Sequence, residues 1–266
     1  MTRLVANPLT LLLAVLMLVV PVEFFWLHAL RTTEARVSDF FVARNARHIP
    51  ADADVVVVAA DEDSLERMAE HAGRWPWPRS VHGELVAGIA AQKPRAIVFD
   101  IMFFEPDIYR LDADELFNKT VSAYNNVFFP TVRQDPAADP HGVLLAEMQE
   151  ALGALAGKDA EAAVTVNMGL PKALTPDNWR LGTIDFLADA DGIGRRSFVY
   201  QDAYGWKIPS LPARVAADIG IKVPMVESIV LSWPGGRGAR KHVSYADLYV
   251  DFNSQTRTRS TEEFKD

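Results

Sequence analysis

The longest apolar run of the chain lies near its N-terminus, over residues 9–30. An α-helix needs about 20 apolar residues to cross the hydrocarbon core of a bilayer. The run reaches that length when its two polar residues, Glu23 and His28, lie at the interface. The aromatic residues 24–26 then fall where membrane helices carry an aromatic belt. The pattern predicts one transmembrane helix here, preceded by a short tail of residues 1–8.

Two other interpretations of this run stay open. A cleaved secretory signal would use residues 9–20 as its apolar region, but no small-x-small cleavage site follows Pro21. A buried helix of a soluble protein would rarely have an apolar run of this length. Positive charges leave the orientation undecided, because Arg3 precedes the run while Arg31 and Arg36 follow it.

Beyond this run, helical and strand-like hydrophobic patterns alternate. Residues 31–49 carry apolar positions spaced for one helical face. Residues 54–61, DVVVVAAD, form a β-branched run typical of a strand buried on both faces of a parallel sheet. A helical pattern over residues 80–89 leads to a second strand-like run at residues 96–101. Strand, helix and strand over this distance predict a right-handed βαβ unit.

The rest of the chain continues the alternation with shorter patterns. Two strands around Asp189-Ala190-Asp191-Gly192 predict a hairpin in the carboxyl third. The predicted fold is α/β, a largely parallel sheet with flanking helices plus this C-terminal hairpin region, preceded by the transmembrane helix. Its further elements are helices over residues 112–123, 143–155 and 209–219, strands over residues 126–132, 162–168 and 229–233, and a loop over residues 135–140.

Composition excludes several classes of protein. With 266 residues and 49% hydrophobic content, the chain can form one core together with a membrane segment. A net charge of -8 argues against nucleic-acid binding, which needs clustered Lys and Arg. There is no cysteine, which excludes disulfides and thiolate chemistry, and the six histidines lack metal-ligand spacing. No P-loop, dinucleotide fingerprint or nucleophile elbow occurs. We therefore predict no catalytic residues, metal or cofactor.

The candidate site lies between the first two predicted strands. In open parallel sheets, ligands bind outside the carboxyl ends of the strands. There the acids after each strand meet the connection of residues 73–79, GRWPWPR, whose prolines fix the backbone near extended geometry. Arg79 is expected to pair with Asp100 or Asp61. The candidate ligand-binding residues are Asp61, Glu62, Arg74, Trp75, Trp77, Arg79, Asp100 and Glu105.

Two alternatives compete with ligand binding at these residues. The tryptophans and arginines of residues 73–79 can instead hold the loop over the core, since such aromatic residues more often pack than line a pocket. The acids Asp61, Glu62 and Asp100 also resemble a carboxylate cluster for a divalent cation or for general acid/base chemistry, as in a metal-assisted hydrolase. The Asp-Gly turn at residues 189–192 contains only a fragment of a calcium loop, because the Glu at the twelfth position is missing.

Three segments in succession carry a family resemblance. Residues 54–65, 73–79 and 96–106 resemble the CHASE2 domain, an extracytoplasmic sensor module of bacterial signalling receptors. The Asp189-Ala190-Asp191-Gly192 turn with Arg195-Arg196, and Trp233-Pro234-Gly235, also fit its later pattern. The similarity extends from about Asp39 to the end of the chain.

The resemblance implies a non-enzymatic sensor domain over residues 31–266, outside the cell membrane or in the periplasm, behind a single-pass anchor. Members of the family commonly continue into further transmembrane helices and a cytoplasmic cyclase or kinase. This sequence stops at Asp266 before such parts, so the domain is expected to be C-terminally incomplete and the effector absent from this chain. The expected partners are the membrane, a small-molecule or protein signal and, by resemblance, a second copy in a homodimer.

Overall fold

The fold is taken from a computed structural model, in which the chain divides into two compact units. The first unit comprises Met1–Ala51 and Ser232–Ala239, and the second comprises Asp52–Leu231 and Arg240–Asp266. The structure describes residues 8–23, 31–189, 191–234, 240–260 and 262–265.

The first unit contains two helices, α1 (Pro8–Val22) and α2 (Arg31–Ala46). Helix α1 is apolar and none of its side chains is buried. Among the residues that the structure describes, no helix is both long enough and apolar enough to cross a membrane. The predicted span continued through residues 24–30, including the predicted aromatic belt, and those residues lie outside the described part.

Helix α2 confirms the helical pattern predicted for residues 31–49. Its apolar residues Val37, Phe40 and Phe41 are each more than half exposed, while Ala46, at its last position, is buried. The two phenylalanine rings contact each other edge to face, with centroids 5.6 Å apart. The sequence therefore specifies the helix, although its large apolar residues Val37, Phe40 and Phe41 remain exposed.

The second unit has helices interspersed with short strands. Its α-helices are α3 (Glu62–Ala72), α4 (Arg79–Ala90), α5 (Leu111–Ser122), α6 (Gln149–Leu152), α7 (Leu211–Asp218) and α8 (Tyr245–Asn253), with 3-10 helices at Pro136–His141 and Pro176–Asn178. Its strands are β1 (Val56–Ala59), β2 (Ile97–Val98), β3 (Val127–Arg133), β4 (Val143–Leu144), β5 (Leu155–Ala156), β6 (Thr165–Val166), β7 (Met168–Gly169), β8 (Leu181–Thr183), β9 (Phe186–Leu187), β10 (Arg196–Phe198), β11 (Tyr200–Ala203), β12 (Trp206–Pro209), β13 (Ser228–Val230) and β14 (Lys241–Ser244).

These strands form several small sheets, so the fold is mixed α/β and the prediction of one largely parallel sheet is wrong. Strand β3 pairs in parallel with β2 and β8 and antiparallel with β7. Strand β1 pairs in parallel with β14. The predicted βαβ unit would have placed β1 and β2 in one sheet. Strand β14 leads directly into α8, which packs against α3 and α4, and this packing brings β14 beside β1.

Local predictions had mixed outcomes. The hairpin is confirmed, because β9 and β10 are antiparallel with Ser197 opposite Phe186. The helix predicted over residues 143–155 is wrong. That stretch forms β4, the four-residue α6 and the start of β5, and Gly153 ends α6 in the left-handed region at φ 63°. The loop predicted over residues 135–140 is largely a 3-10 helix.

Helix α4 lies at the centre of the second unit and packs against α5 and α8. Two glycines permit this approach. A Cβ on Gly88 would meet the Phe252 ring of α8 at 2.2 Å, and a Cβ on Gly83 would lie 3.3 Å from Thr120 Oγ1 of α5. On the core side, α4 contributes Val81, Leu85, Val86 and Ile89, all buried. The position of α4 brings the loop at its N-terminus over the aromatic part of the core.

Candidate functional site

The loop of residues 73–79 connects α3 to α4. Gly73 ends α3 with φ 77°, a left-handed conformation that favours glycine, and its N–H donates to the Ala69 carbonyl. Pro78 immediately precedes α4, where its missing N–H costs nothing. The Trp75–Pro76 peptide bond is cis. Both ends of the loop are thus fixed by helix termini.

The two tryptophans of the loop lie in different environments. Trp77 is 2% exposed, whereas Trp75 is 42% exposed. Their rings meet edge to face with centroids 5.0 Å apart, and the Trp77 ring lies 4.7 Å from that of Tyr245. Trp77 thus anchors the loop in the core, and its contact with Trp75 holds a half-exposed indole at the surface.

Beneath the loop, His82 of α4 is buried inside a cluster of aromatic rings. It is 2% exposed, and its Nδ1 lies 2.9 Å from the Tyr245 hydroxyl. The ring centroids around His82 lie between 5.6 and 6.4 Å away. The surrounding rings are those of Trp75, Trp77, Phe99, Phe103, Phe117 and Tyr245.

Burial determines the charge state of this pair. Desolvation, helped by the positive charge of Arg79, lowers the pKa of His82 to about 4. Burial also raises the pKa of Tyr245 above its ordinary value, with a smaller contribution from Tyr249 and Glu84. At neutral pH the two residues therefore form a neutral hydrogen bond inside an apolar cage.

Arg79, the first residue of α4, is held by α5 and by the strand connection before it. Its guanidinium donates to Asp114 Oδ1 at 3.1 Å and to the backbone carbonyl of Glu105. The guanidinium carbon also lies 5.9 Å from the centroid of the Phe103 ring. The prediction of a carboxylate partner is correct in kind, but Asp114 takes the place expected for Asp100 or Asp61.

Asp114 extends this contact into the neighbouring turn. Its Oδ2 accepts a hydrogen bond from the Asp107 backbone N–H at 2.8 Å. The Asp107 carboxylate in turn accepts from the Tyr109 N–H and from Arg110 Nε. Both carboxylates are mostly buried, since their side chains are only 10% exposed. The loop of residues 73–79 is thereby hydrogen-bonded to the turn that precedes α5.

The other candidate residues have local roles or are exposed. Asp61 caps α3, and its Oδ1 accepts from the Ser64 N–H at 2.9 Å. Hydrogen bonding from Ser64 lowers the pKa of Asp61. The side chains of Glu62, Arg74 and Asp100 are exposed, as is Glu105. The structure thus connects Arg79 to Glu105, while it uses Asp61 for helix capping.

The geometry gives no support to a cation site or an acid/base pair formed by Asp61, Glu62 and Asp100. Within the described ranges, no group of three or more His, Asp or Glu side chains is placed to hold a metal ion. In the predicted Asp-Gly turn, Arg195 pairs with both Asp189 and Asp191, at 2.8 Å each. These acids therefore stabilise the turn through an arginine.

Sequence reasoning missed three residues of this site, His82, Asp114 and Tyr245. His82 lies one turn before Leu85 and Val86 on the apolar face of α4, so helical periodicity could have placed it in the core. Asp114 shares the buried face of α5 with Phe117 and could have been found in the same way. Tyr245 gave no local signal, because its role depends on where α8 docks.

Comparison with known proteins identifies the family. No curated protein and no solved structure matches the chain. The family model described as the CHASE2 domain matches residues 10–266, nearly the whole sequence. The match covers the loop of residues 73–79, the His82 cluster and the Asp189–Asp191 turn. The chain therefore belongs to the CHASE2 family of extracytoplasmic sensor domains.

Proposed function

We propose that this chain is the non-enzymatic sensor module of a membrane-anchored signalling receptor and that it binds its signal around Trp75. The observation that carries the proposal is the pair of tryptophans. A half-exposed indole at the surface rests on a buried one, which in turn contacts Tyr245 and His82. Exposed aromatic rings held by a rigid core provide contact area at low entropic cost.

The proposed binding surface, named here the Trp75 surface, consists of Arg74, Trp75, Asp100 and Glu105. Asp100 directly follows Phe99, whose ring contacts His82, and Glu105 accepts from Arg79 through its backbone. Cationic, anionic and aromatic groups are therefore supplied by segments that share the same core contacts. Such a mixture suits a small polar ligand with a planar or ring-shaped apolar part.

Two buried donors support the proposal of an anionic ligand. Among the described residues, Trp77 Nε1 and Arg79 Nε are buried without a hydrogen-bond partner. Burying such donors unpaired costs about 1–3 kcal/mol each. A ligand with a carboxylate or phosphate oxygen would satisfy them when the loop shifts outward. The signal would then reach α8, because Trp77 and His82 both contact Tyr245, the first residue of that helix.

The anchor and the topology belong to the same proposal. The apolar residues of α1 and their continuation to residue 30 would form the transmembrane helix, with the sensor domain in the periplasm or outside the cell. A displacement of residues 38–47 against that helix would pass the signal to a cytoplasmic cyclase or kinase, in a receptor that forms a homodimer. Such a shift requires the ligand to favour one of two states.

A thermal-stability screen tests ligand binding directly. Periplasmic metabolites, grouped into anionic and neutral compounds, would be added to the full chain. We expect an anionic compound to raise the melting temperature, since a ligand at one hundred times its Kd adds about 2.7 kcal/mol of stability. The Trp75→Ala variant should lose this shift while an exposed control, Tyr109→Ala, keeps it. An equal shift in wild type and Trp75→Ala would place the ligand elsewhere.

Topology requires a separate experiment. A reporter that works only outside the cytoplasm should be active when it is fused after Asp266. A reporter that works only in the cytoplasm should be silent at the same position. The reverse result would contradict the proposed orientation.

A second function for the loop is purely structural. Trp77 is almost fully buried, and Arg79 is paired with a buried acid. If the loop only stabilises the domain, Trp77→Ala lowers the melting temperature strongly and no compound of the panel raises it.

A further inference from the structure

A second surface of the domain remains unexplained by ligand binding. The sheet of β13, β10 and β9 is antiparallel, and its register places Ser197 opposite both Phe186 and Ile229. Arg196 lies opposite Val230, and successive residues of a strand point to opposite faces. Phe186 and Ile229 are 66% and 44% exposed on one face, and Val230 is 57% exposed on the other. Both faces of this sheet therefore present apolar side chains.

A sheet of this size is poorly stabilised without a covering layer. Strand β9 has two residues and β10 and β13 have three each. Small sheets normally need a buried hydrophobic face to be stable. Exposed apolar side chains continue into the hairpin turn. We name the set the hairpin surface: Phe186, Ile193, Ile229 and Val230.

The charges of the hairpin cancel. Residues 186–198 contain two acids, Asp189 and Asp191, and two bases, Arg195 and Arg196, in a chain whose net charge is -8. The Arg195 guanidinium bonds both carboxylates at 2.8 Å. Its hydrogen bonds hold the pKa of Asp191 at about 2, so the pair remains intact at neutral pH. The hairpin thus combines exposed apolar groups with no net charge to repel a phospholipid headgroup.

We propose that the hairpin surface inserts into the interfacial layer of a lipid bilayer. Insertion of the hairpin edge covers both faces of the sheet at once, whereas a protein partner packed on one face would leave the other exposed. Apolar groups buried at the headgroup boundary gain free energy in proportion to their area. The presence of a membrane near the domain rests on the anchor proposed above, while the sheet geometry does not depend on it.

The absence of cysteine makes this proposal directly measurable. Single cysteines replacing Ile193 or Tyr109 would carry an environment-sensitive fluorophore. Both side chains are exposed, so the labels should not disturb the core, and a melting curve for each variant checks this. Tyr109, at 89% exposure, is the matched control in the acidic turn before α5. The full chain would be reconstituted into vesicles of phosphatidylcholine and phosphatidylglycerol, with and without lipids that carry a nitroxide quencher.

The expected result is a blue-shifted Ile193 label that is quenched by the nitroxide lipids, beside a Tyr109 label that is neither shifted nor quenched. A double substitution, Phe186→Ser with Ile229→Ser, should reduce quenching at Ile193 to the Tyr109 level. Water-like emission from Ile193 in vesicles would overturn the proposal. So would a blue shift without lipid quenching that grows with protein concentration, because a second copy would then cover the surface.

A label at Leu13 in α1 separates this inference from the proposed anchor. Quenching at Leu13 without quenching at Ile193 leaves the anchor intact and refutes the hairpin contact. Quenching at Ile193 alone supports the hairpin contact and refutes the anchor. When neither label is quenched, both proposals fail.

Discussion

The Tyr245 hydroxyl lies 2.9 Å from Nδ1 of His82, although the two residues are 163 positions apart in the sequence. This hydrogen bond joins the first turn of α4 to the first residue of α8 inside the aromatic cluster. Trp77 contacts both rings from the loop above. Two helices and the proposed sensing loop therefore meet at one buried polar contact.

Removal of the Tyr245 hydroxyl should lower the unfolding free energy more than removal of an exposed hydroxyl. Tyr245→Phe leaves a buried histidine nitrogen without its partner, so we expect a loss of about 1–3 kcal/mol in unfolding free energy. The matched control is Tyr249→Phe. Its hydroxyl donates to the exposed Glu84 at 2.7 Å, so its removal should cost about 1 kcal/mol or less. Urea denaturation of both variants measures the difference, and equal losses would contradict the role assigned to Tyr245.

His82 should make stability depend on pH in a defined window. Its pKa is about 4 in the folded chain and about 6.5 when unfolded, so the unfolded state binds more protons between these values. Stability is therefore fully present above about pH 6.5 and falls as the pH drops to about 4, by up to about 3 kcal/mol. The slope should disappear in His82→Gln and persist in the exposed control His71→Gln. Urea titrations at several pH values test this, and an unchanged slope in His82→Gln would contradict it.

Substitution of Trp77 should mainly reduce the stability of the domain, whereas substitution of Trp75 should mainly affect the proposed ligand binding. Trp77→Ala removes a buried ring and should cost about 3–5 kcal/mol of unfolding free energy. Trp75→Ala removes a ring that is almost half exposed and should cost about 1–2 kcal/mol, because less apolar area returns to water. Thermal and urea unfolding of both variants measure these losses. A larger loss for Trp75→Ala would show that the outer indole is mainly structural.

The Arg79–Asp114 pair should contribute more to the unfolding free energy than an exposed ion pair does. Asp114→Ala leaves the mostly buried guanidinium without its carboxylate, and loss of one buried partner typically costs about 3–5 kcal/mol. The control is Asp247→Ala, whose partner Arg67 is exposed, and its expected cost is about 0–1 kcal/mol. A double-mutant cycle with Arg79→Ala isolates the coupling. A coupling energy near zero would assign the cost of Asp114→Ala to its hydrogen bond with Asp107.

Several features of the fold could be predicted from short stretches of sequence. Helices α4 and α5 follow from apolar positions repeated at helical spacing, which places one side of each helix in the core. The β9–β10 hairpin follows from the Asp-Gly turn and its flanking strands. The helix predicted over residues 143–155 is wrong because both strands and short turns bury leucines there: Leu145 is fully buried in a turn and Leu152 at the end of the four-residue α6. Short apolar patterns do not distinguish a long helix from a strand and turn followed by a short helix.

The sequence singled out residues 73–79 without predicting their contacts, and ligand binding at these residues stays a prediction. Tryptophan, arginine and proline alternate in residues 73–79, and the structure places Trp77 in the core and Arg79 in a mostly buried pair with Asp114. The predicted partner of Arg79, Asp100 or Asp61, was wrong because the prediction assumed that β1 and β2 are neighbours in one sheet. Strand β1 instead pairs with β14, so the acids at the two strand ends do not form the expected cluster.

The sequence by itself determined the family and many of the local elements, since both depend on residues close together in the chain. Only the tertiary structure decided that Arg79 binds Asp114, that His82 binds Tyr245 and that β14 completes the sheet of β1. These contacts join residues between 35 and more than 160 positions apart. They depend on how α5 and α8 pack against α4, and that packing is set by burial of the whole core rather than by any local pattern.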